Sequence, residues 1–68
     1  MMPINLYKGH DGLFYPCCES DKLLMQHCVN TDLEALNEKG LEKARYVALA
    51  HDWQIRFCAG PKDWINAK

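Results

Sequence analysis

Residues 31–52 read TDLEALNEKGLEKARYVALAHD and carry the clearest secondary-structure pattern in the chain. Thr31 and Glu34 have the spacing of a capping box, in which a threonine hydroxyl and a glutamate three residues later satisfy backbone N–H groups of the first helical turn. The small and apolar residues after Thr31 recur at helical spacing and form one stripe: Leu33, Leu36, Gly40, Leu41, Ala44, Val47 and Ala48. We therefore predict a helix from Thr31 to about Asp52.

A glycine lies within this stripe. In the interior of a helix, Gly40 costs about 1 kcal/mol relative to alanine. Such a residue needs a reason in the packing or in the path of the chain. We expect Gly40 either to let the helix lie close against a sheet or to divide it into two shorter helices.

A β-hairpin is predicted for residues 4–15. Apolar and polar side chains alternate over residues 4–6, and residues 13–15 (LFY) are strand formers. The sequence GHDG at residues 9–12 contains an Asp-Gly pair, which readily supplies the positive φ angles of a tight turn. Pro16 cannot donate a hydrogen bond to a neighbouring strand, so it should end the second strand or place that strand at a sheet edge.

Residues 19–29 allow two interpretations. Ser20 and Asp21 are suitable for the N-terminal end of a helix, and residues 23–26 (LLMQ) are good helix formers. The same stretch could instead be a third strand with alternate side chains on one face: Leu23, Met25 and His27. We prefer a short helix over residues 20–28 and keep the strand as the alternative.

A final strand is predicted for residues 53–58 (WQIRFC), in which polar and apolar residues alternate. Three side chains should face the core: Trp53, Ile55 and Phe57. Gly60 and Pro61 end this strand, and we expect a terminal helical turn at residues 61–65.

These elements predict one α+β domain over residues 1–68. Their order is β-β-α-α-β, with the helices packed on one face of a small antiparallel sheet. A chain of 68 residues buries only about 60% of the surface that its unfolded form exposes, so its stability margin is narrow. Association into a homo-oligomer is therefore one way for the domain to gain stability.

The charge pattern bears on the class of partner. The net charge is −1, and acidic and basic residues are interspersed. Domains that bind nucleic-acid phosphates usually carry a basic excess, so nucleic acid is an unfavoured partner and protein is favoured. No apolar run approaches the roughly 20 residues of a membrane span, and the first residues lack the pattern of a signal peptide. We expect a cytoplasmic protein.

Four cysteines and three histidines are candidate metal ligands. The spacing contains neither Cys-x-x-Cys nor His-x-x-x-His. The best tetrahedral zinc set takes one of the two adjacent cysteines, Cys17 or Cys18, and three further ligands: Cys28, His51 and Cys58. In the cytoplasm these thiols should be reduced. We favour the alternative that they are small buried side chains, and we predict no cofactor.

Catalytic motifs are not recognisable. No sequence feature places a general base beside a thiol, and the glycines at residues 9–12 are not followed by the lysine of a phosphate-binding loop. Three carboxylates at one-turn spacing favour a solvated acidic helix face over an acid–base pair: Glu34, Glu38 and Glu42. We expect no catalytic residue and no enzymatic activity.

Aromatic residues favour a role in recognition. Seven of them exceed what one small core needs, and Trp and Tyr are enriched at binding hot spots. We predict four partner-binding residues: Tyr7, Phe14, Tyr46 and Trp64. Phe14, Tyr46 and Trp64 should be exposed, although each could equally lie at the edge of the core. The acidic face of Glu34, Glu38 and Glu42 is the alternative binding surface.

One resemblance covers about half of the chain. Leu6, Lys8 and the run GLFYP at residues 12–16, followed by an acidic stretch and a Leu-Leu pair, resemble the opening of short accessory proteins encoded by phages and prophages. Residues 43–49 (KARYVAL) are similar to the helix that follows an Asn/His/Arg motif in those families. Here Asn37 is present and the His-Arg pair is missing, so no active-site residue is carried over.

Three hypotheses follow for the function. The first is a non-catalytic protein-binding module, as in a phage-type accessory protein or inhibitor that occupies a host complex such as a nuclease or a CRISPR defence assembly. The second is a zinc-stabilised small domain with the ligand set given above. The third is a single-stranded nucleic-acid binder that uses aromatic side chains for base stacking.

Overall fold

The computed structural model describes residues 2–60 of the chain. It contains three strands and two helices: β1 (Met2–Lys8), β2 (Phe14–Pro16), α1 (Glu19–Val29), α2 (Glu38–Ala50) and β3 (Trp53–Phe57). This confirms the predicted α+β class and the order β-β-α-α-β. It also decides the two interpretations of residues 19–29 in favour of the helix.

The sheet has the strand order β2-β1-β3 and is mixed. β1 and β2 are antiparallel, as the hairpin prediction requires, with Tyr7 opposite Tyr15. β3 lies parallel to β1, with Ile4 opposite Ile55. The prediction of an antiparallel sheet therefore holds for the hairpin and is wrong for β3. Both helices lie between β2 and β3 in the chain, and this long crossover brings β3 back in the same direction as β1.

The core lies between one face of the sheet and the two helices. Ile4 and Leu6 point from β1 to the same side and are almost completely buried. They belong to one cluster with side chains from both helices and the intervening loop: Met25, Cys28, Val29, Leu36, Leu41, Ala44 and Ala48. Both helices thus cover the Ile4 and Leu6 face of the sheet, as predicted.

The second helix begins later than predicted. Its N-cap is Asn37, whose side-chain Oδ1 accepts a hydrogen bond from the backbone N–H of Gly40 at 2.8 Å. Residues 31–37 are not helical, so the Thr31–Glu34 capping box is wrong. Within this segment Leu36 is fully buried and forms an isolated antiparallel bridge with Phe14. Leu36 is buried beside β2, and the segment that contains it is a loop where the sequence pattern indicated the first turns of the helix.

Gly40 therefore lies in the first turn of α2. A Cβ atom at this position would lie 3.3 Å from Cδ2 of Leu36 and 3.4 Å from Oδ1 of Asn37. The glycine allows the start of the helix to pass close to Leu36 and to its own cap. It does not divide the helix, which continues without interruption to Ala50.

The hairpin turn is closed by backbone hydrogen bonds. The N–H of Gly9 donates to the carbonyl of Leu13 at 2.8 Å, and the N–H of Gly12 donates to the carbonyl of Gly9 at 3.0 Å. Gly12 has a φ of 84°, which supports the predicted positive φ of the Asp-Gly pair at that residue. Pro16 ends β2, which lies at one side of the sheet, in agreement with the prediction.

β3 agrees with the predicted strand, with one difference in its side chains. Trp53 and Ile55 pack against the core, whereas about half of the Phe57 side chain is exposed. The predicted turn at residues 61–65 and the aromatic residue Trp64 lie outside the described residues. Within residues 2–60, neither helix has the length and apolar character needed to cross a membrane.

Candidate interaction surface

The outer side of α2 carries two large and strongly exposed side chains. Tyr46 is 70% exposed and Leu49 is 75% exposed. They are three residues apart on the helix and therefore neighbours on its surface. Arg45 and Glu42 line the same shallow depression with them. An exposed leucine alone is common, but a tyrosine and a leucine side by side form an apolar patch.

A groove continues from this patch toward the sheet. It lies between α2 and β3 and has a volume of about 320 Å³. Its walls come from both elements: Arg45, Ala48 and Leu49 from α2, and Trp53, Gln54 and Ile55 from β3. Leu49 contributes to both the patch and the groove, so the two form one continuous surface.

β3 also supplies a sheet edge. In the sheet of residues 2–60, β1 is the only neighbour of β3. At the other side of the sheet, Phe14 of β2 exchanges two backbone hydrogen bonds with Leu36, at 2.8 and 2.9 Å. Residue 36 thus covers part of the β2 edge, and β2 is only three residues long. β3 is the longer edge and the one on which another strand could be added.

Arg45 supplies a positive charge at this surface and lies beside Glu42 in the depression. Its guanidinium carbon lies 5.6 Å from the ring centroid of Phe57, close enough for a cation–π interaction. Phe57 in turn contacts the ring of Phe14 at a centroid distance of 5.7 Å. We call the following five residues the α2–β3 surface: Arg45, Tyr46, Leu49, Gln54 and Phe57.

The predicted aromatic binding residues that lie within residues 2–60 do not form one cluster. Tyr46 is exposed, as predicted, and belongs to the α2–β3 surface. Phe14 is half-buried and packs against the core, so it has the position at the core edge that was the alternative to exposure. Tyr7 is half-buried and lies on β1, where its ring stacks on that of Tyr15 at 5.6 Å. Because alternate side chains of β1 point to opposite faces, Tyr7 lies on the side of the sheet away from the helices.

The acidic helix face is interrupted in the structure. Glu38 and Glu42 are exposed on α2, but Glu34 lies in the loop before it. Glu34 forms an ion pair with Lys22 of α1 at 3.2 Å. The hydrogen bond and charge of Glu34 raise the pKa of Lys22 above its usual value. The prediction of three carboxylates on one helix face is therefore wrong, because the helix begins after Glu34.

The prediction that the cysteines are small buried side chains holds for Cys17 and Cys28, whereas Cys18 and Cys58 are half-buried. Cys17 and Cys58 form a disulfide between the start of α1 and the end of β3, so the expectation of four reduced thiols is wrong for this pair. Cys28 is buried, and desolvation raises the pKa of its thiol. The thiol of Cys18 donates to the carboxylate of Asp21 at 3.0 Å.

The proposed zinc set is not assembled. Two of its members, Cys17 and Cys58, are joined to each other and present no thiolate to a metal. His51 is exposed at the end of α2, whereas Cys28 lies in the core. Among residues 2–60 no group of three or more His, Cys, Asp or Glu side chains is placed to hold a metal ion.

Leu49 is the surface residue that sequence reasoning missed. Its signal is its position: it follows Tyr46 by three residues and lies off the buried stripe that contains Leu41, Ala44 and Ala48. An exposed leucine on that side of a helix is a weak signal by itself. The groove beside it depends on β3, which no pattern in the helix reveals.

Comparison of the chain with protein-family models, with curated proteins and with solved structures gives no match. The resemblance to phage-encoded accessory proteins therefore remains a prediction.

Proposed function

We propose that this chain is a non-catalytic protein-binding module and that it binds another protein through the α2–β3 surface. The observation that carries the proposal is the pair Tyr46 and Leu49, exposed side by side next to a groove and next to an edge of β3 that no other strand of residues 2–60 covers. Contiguous apolar surface rimmed by polar groups is typical of interaction sites.

The energetics favour these two side chains as the centre of the contact. Full burial of a leucine side chain contributes about 1.5–3 kcal/mol relative to its exposed state. Tyrosine is enriched among residues that dominate binding energy because it combines a large apolar area with a hydroxyl group. Both side chains are already held on a helix, so they lose less conformational freedom on binding than residues of a mobile loop.

The edge of β3 suggests how the partner lies. An extended segment of the partner can add to β3 by backbone hydrogen bonds and place apolar side chains against Leu49 and Tyr46. The positive charge of Arg45 favours a partner with an acidic residue at the rim of this contact. A partner surface that is apolar at its centre and acidic at one side fits these features.

The biological setting of the proposal is that of a phage-type accessory protein or inhibitor. Such a protein would act by occupying a host complex, for example a nuclease or a CRISPR defence assembly. The near-neutral charge of the chain and the resemblance of residues 12–16 and 43–49 to phage accessory proteins support this choice. The remaining acidic residues of α2, Glu38 and Glu42, are the alternative contact surface.

The test compares three variants with the wild-type chain, the third being a reversal of charge at Glu38 and Glu42. A tagged chain is used to recover partners from a lysate of the host cell, with and without nuclease treatment, and the partners are identified by mass spectrometry. The first variant is Tyr46→Ala combined with Leu49→Ala. The matched control is Leu23→Ala, which removes a leucine that is 61% exposed on α1, away from the groove.

We expect one stoichiometric protein that survives nuclease treatment, is retained by Leu23→Ala and is lost with the double variant. If the double variant retained the partner and reversal of charge at Glu38 and Glu42 abolished its recovery, the contact would lie at the acidic residues of α2. Recovery of nucleic-acid-binding proteins that disappear after nuclease treatment would contradict the proposal and favour the nucleic-acid hypothesis.

A further inference from the structure

Two histidines from different helices meet at one end of the molecule. His27 lies in the last turn of α1, and His51 is the C-cap of α2. Their ring centroids are 5.5 Å apart, and the rings are inclined at 64°. Both residues are exposed.

We propose that His27 and His51 form a two-imidazole binding site for a divalent transition-metal ion of the zinc type. Imidazole nitrogen is a preferred ligand of zinc, copper and nickel. Two imidazoles that bind one metal at about 2.0–2.1 Å per bond have ring centroids about 5 Å apart. The observed centroid distance of 5.5 Å is close to this value.

The helix ends supply a second reason to place a cation here. The last carbonyl groups of a helix carry partial negative charge, which favours a positive ion near the C-terminus. α1 and α2 both end beside the histidine pair, and neither has a lysine or arginine in its last turn. Asp52, directly after His51, adds a formal negative charge at the same end of the sheet.

Trp53 acts as a positioning residue for the pair. Its ring stacks on His51 at a centroid distance of 4.4 Å and contacts His27 at 5.6 Å. Trp53 is half-buried and packed against the core, so it provides a fixed wall for both imidazoles. A wall of this kind limits the rotations open to the ligands and so lowers the ordering cost of metal binding.

This site differs from the zinc set considered from the sequence. That set required thiolates from Cys17 and Cys58, which the disulfide removes. The new site uses the imidazoles of His27 and His51, and water completes the coordination. Because one ligand comes from each helix, binding joins the ends of α1 and α2 and should raise the melting temperature of the domain.

The experiment titrates Zn²⁺ into the full oxidised chain and follows the imidazole nitrogens by NMR. The chain has three histidines, and His10, exposed in the hairpin turn, is the internal control. We expect the ring signals of His27 and His51 to shift together and to saturate near one equivalent of zinc, with His10 unchanged. Equal, unsaturated shifts of all three histidines, or no shift, would overturn the proposal.

Variants test the assignment by calorimetric titration with Zn²⁺. Loss of a residue that only supports a metal ligand costs about 10–100-fold in affinity. His27→Ala and His51→Ala should therefore each weaken zinc binding by at least tenfold, whereas His10→Ala should not. Cys18→Ser controls for binding at the half-exposed thiol. Unchanged affinity in folded His27→Ala protein would overturn the site, and if that variant fails to fold, the NMR titration of the wild-type chain decides alone.

Discussion

The carboxylate of Asp21 accepts a hydrogen bond from the backbone N–H of Asn5 at 3.0 Å, which joins helix α1 to the central strand. The carbonyl of Asn5 accepts from the N–H of Cys17 at 3.0 Å, just after β2 ends. Asp21 thus provides a hydrogen-bond acceptor for the backbone N–H of Asn5 in β1, at a position where β2 has already ended. The Asp21 side chain is only 2% exposed, which makes it the buried charged residue of the described chain.

We expect Asp21→Ala to lower the free energy of unfolding by about 2–3 kcal/mol, because it leaves the Asn5 N–H without its acceptor and removes a hydrogen bond to a charged group. Urea denaturation followed by circular dichroism measures the change. Asp32→Ala, which alters an exposed carboxylate in the loop, should stay within about 0.5 kcal/mol of the wild type. Equal effects of the two variants would contradict this role of Asp21.

The start of α2 gives a second prediction. Asn37→Ala should cost about 1 kcal/mol of unfolding free energy, because it removes the side-chain acceptor for the Gly40 N–H. Thr31→Ala should change stability by less than about 0.5 kcal/mol, since Thr31 is an exposed loop residue. If chemical denaturation showed a larger loss of stability in Thr31→Ala than in Asn37→Ala, the result would support the capping box at residues 31–34.

Counting free thiols tests the disulfide between Cys17 and Cys58. Alkylation in denaturant without reductant should label two thiols, Cys18 and Cys28, and alkylation after reduction should label four. The two cysteines are separated by 41 residues, and loop closure of that length stabilises a domain by about 4 kcal/mol in the chain-entropy model. Reduction should therefore lower the melting temperature markedly. Four labelled thiols before reduction would show that the disulfide is not formed.

The hairpin turn should respond to pH through Asp11 and Tyr15. The Tyr15 hydroxyl donates to the Asp11 carboxylate, which also accepts from the Leu13 N–H. The Tyr15 hydroxyl, and to a smaller extent the Leu13 N–H, lower the pKa of Asp11 below its usual 3.8. The contact therefore stabilises the fold at pH values above 3.8, and this stabilisation is lost as the pH falls through the lowered pKa. The same hydrogen bond raises the pKa of Tyr15 above 10.0, so the contact is lost again as pH rises through that raised value.

Ultraviolet absorbance of tyrosinate measures the alkaline half of this behaviour. Asp11→Asn should move one of the three tyrosine transitions to lower pH, because the carboxylate that holds the Tyr15 proton is gone. Asp32→Asn is the matched control and should leave the titration curve unchanged. An Asp11→Asn curve identical to that of the wild type would show that the contact does not persist in solution.

Alanine substitutions at Leu36 and Leu49 distinguish a residue that stabilises the fold from a residue of the proposed binding surface. Leu36→Ala should lower the free energy of unfolding by about 2–5 kcal/mol, because Leu36 is fully buried. Leu49→Ala should change it by less than about 0.5 kcal/mol, because that side chain is mostly exposed. A large loss of stability in Leu49→Ala would place Leu49 in a packed interior and remove it from the proposed binding surface.

Local sequence signals determined much of this fold. The Asp-Gly turn, the alternation in residues 53–57 and the helix formers of residues 19–29 each act over a few neighbouring residues, and the corresponding elements form as predicted. The helical stripe was also correct from Leu41 onward. The helix prediction failed at residues 31–37. The pattern cannot show that the backbone of Leu36 forms hydrogen bonds with Phe14 at the edge of β2.

Only the tertiary structure decided which distant residues meet. The parallel direction of β3 and the pairing of Cys17 with Cys58 follow from the path of the chain across the sheet. The contact of His27 with His51 likewise needs both helices to end at the same side. No local pattern encodes these contacts, because each joins segments more than twenty residues apart and forms only when the shared core around Ile4 and Leu6 is buried.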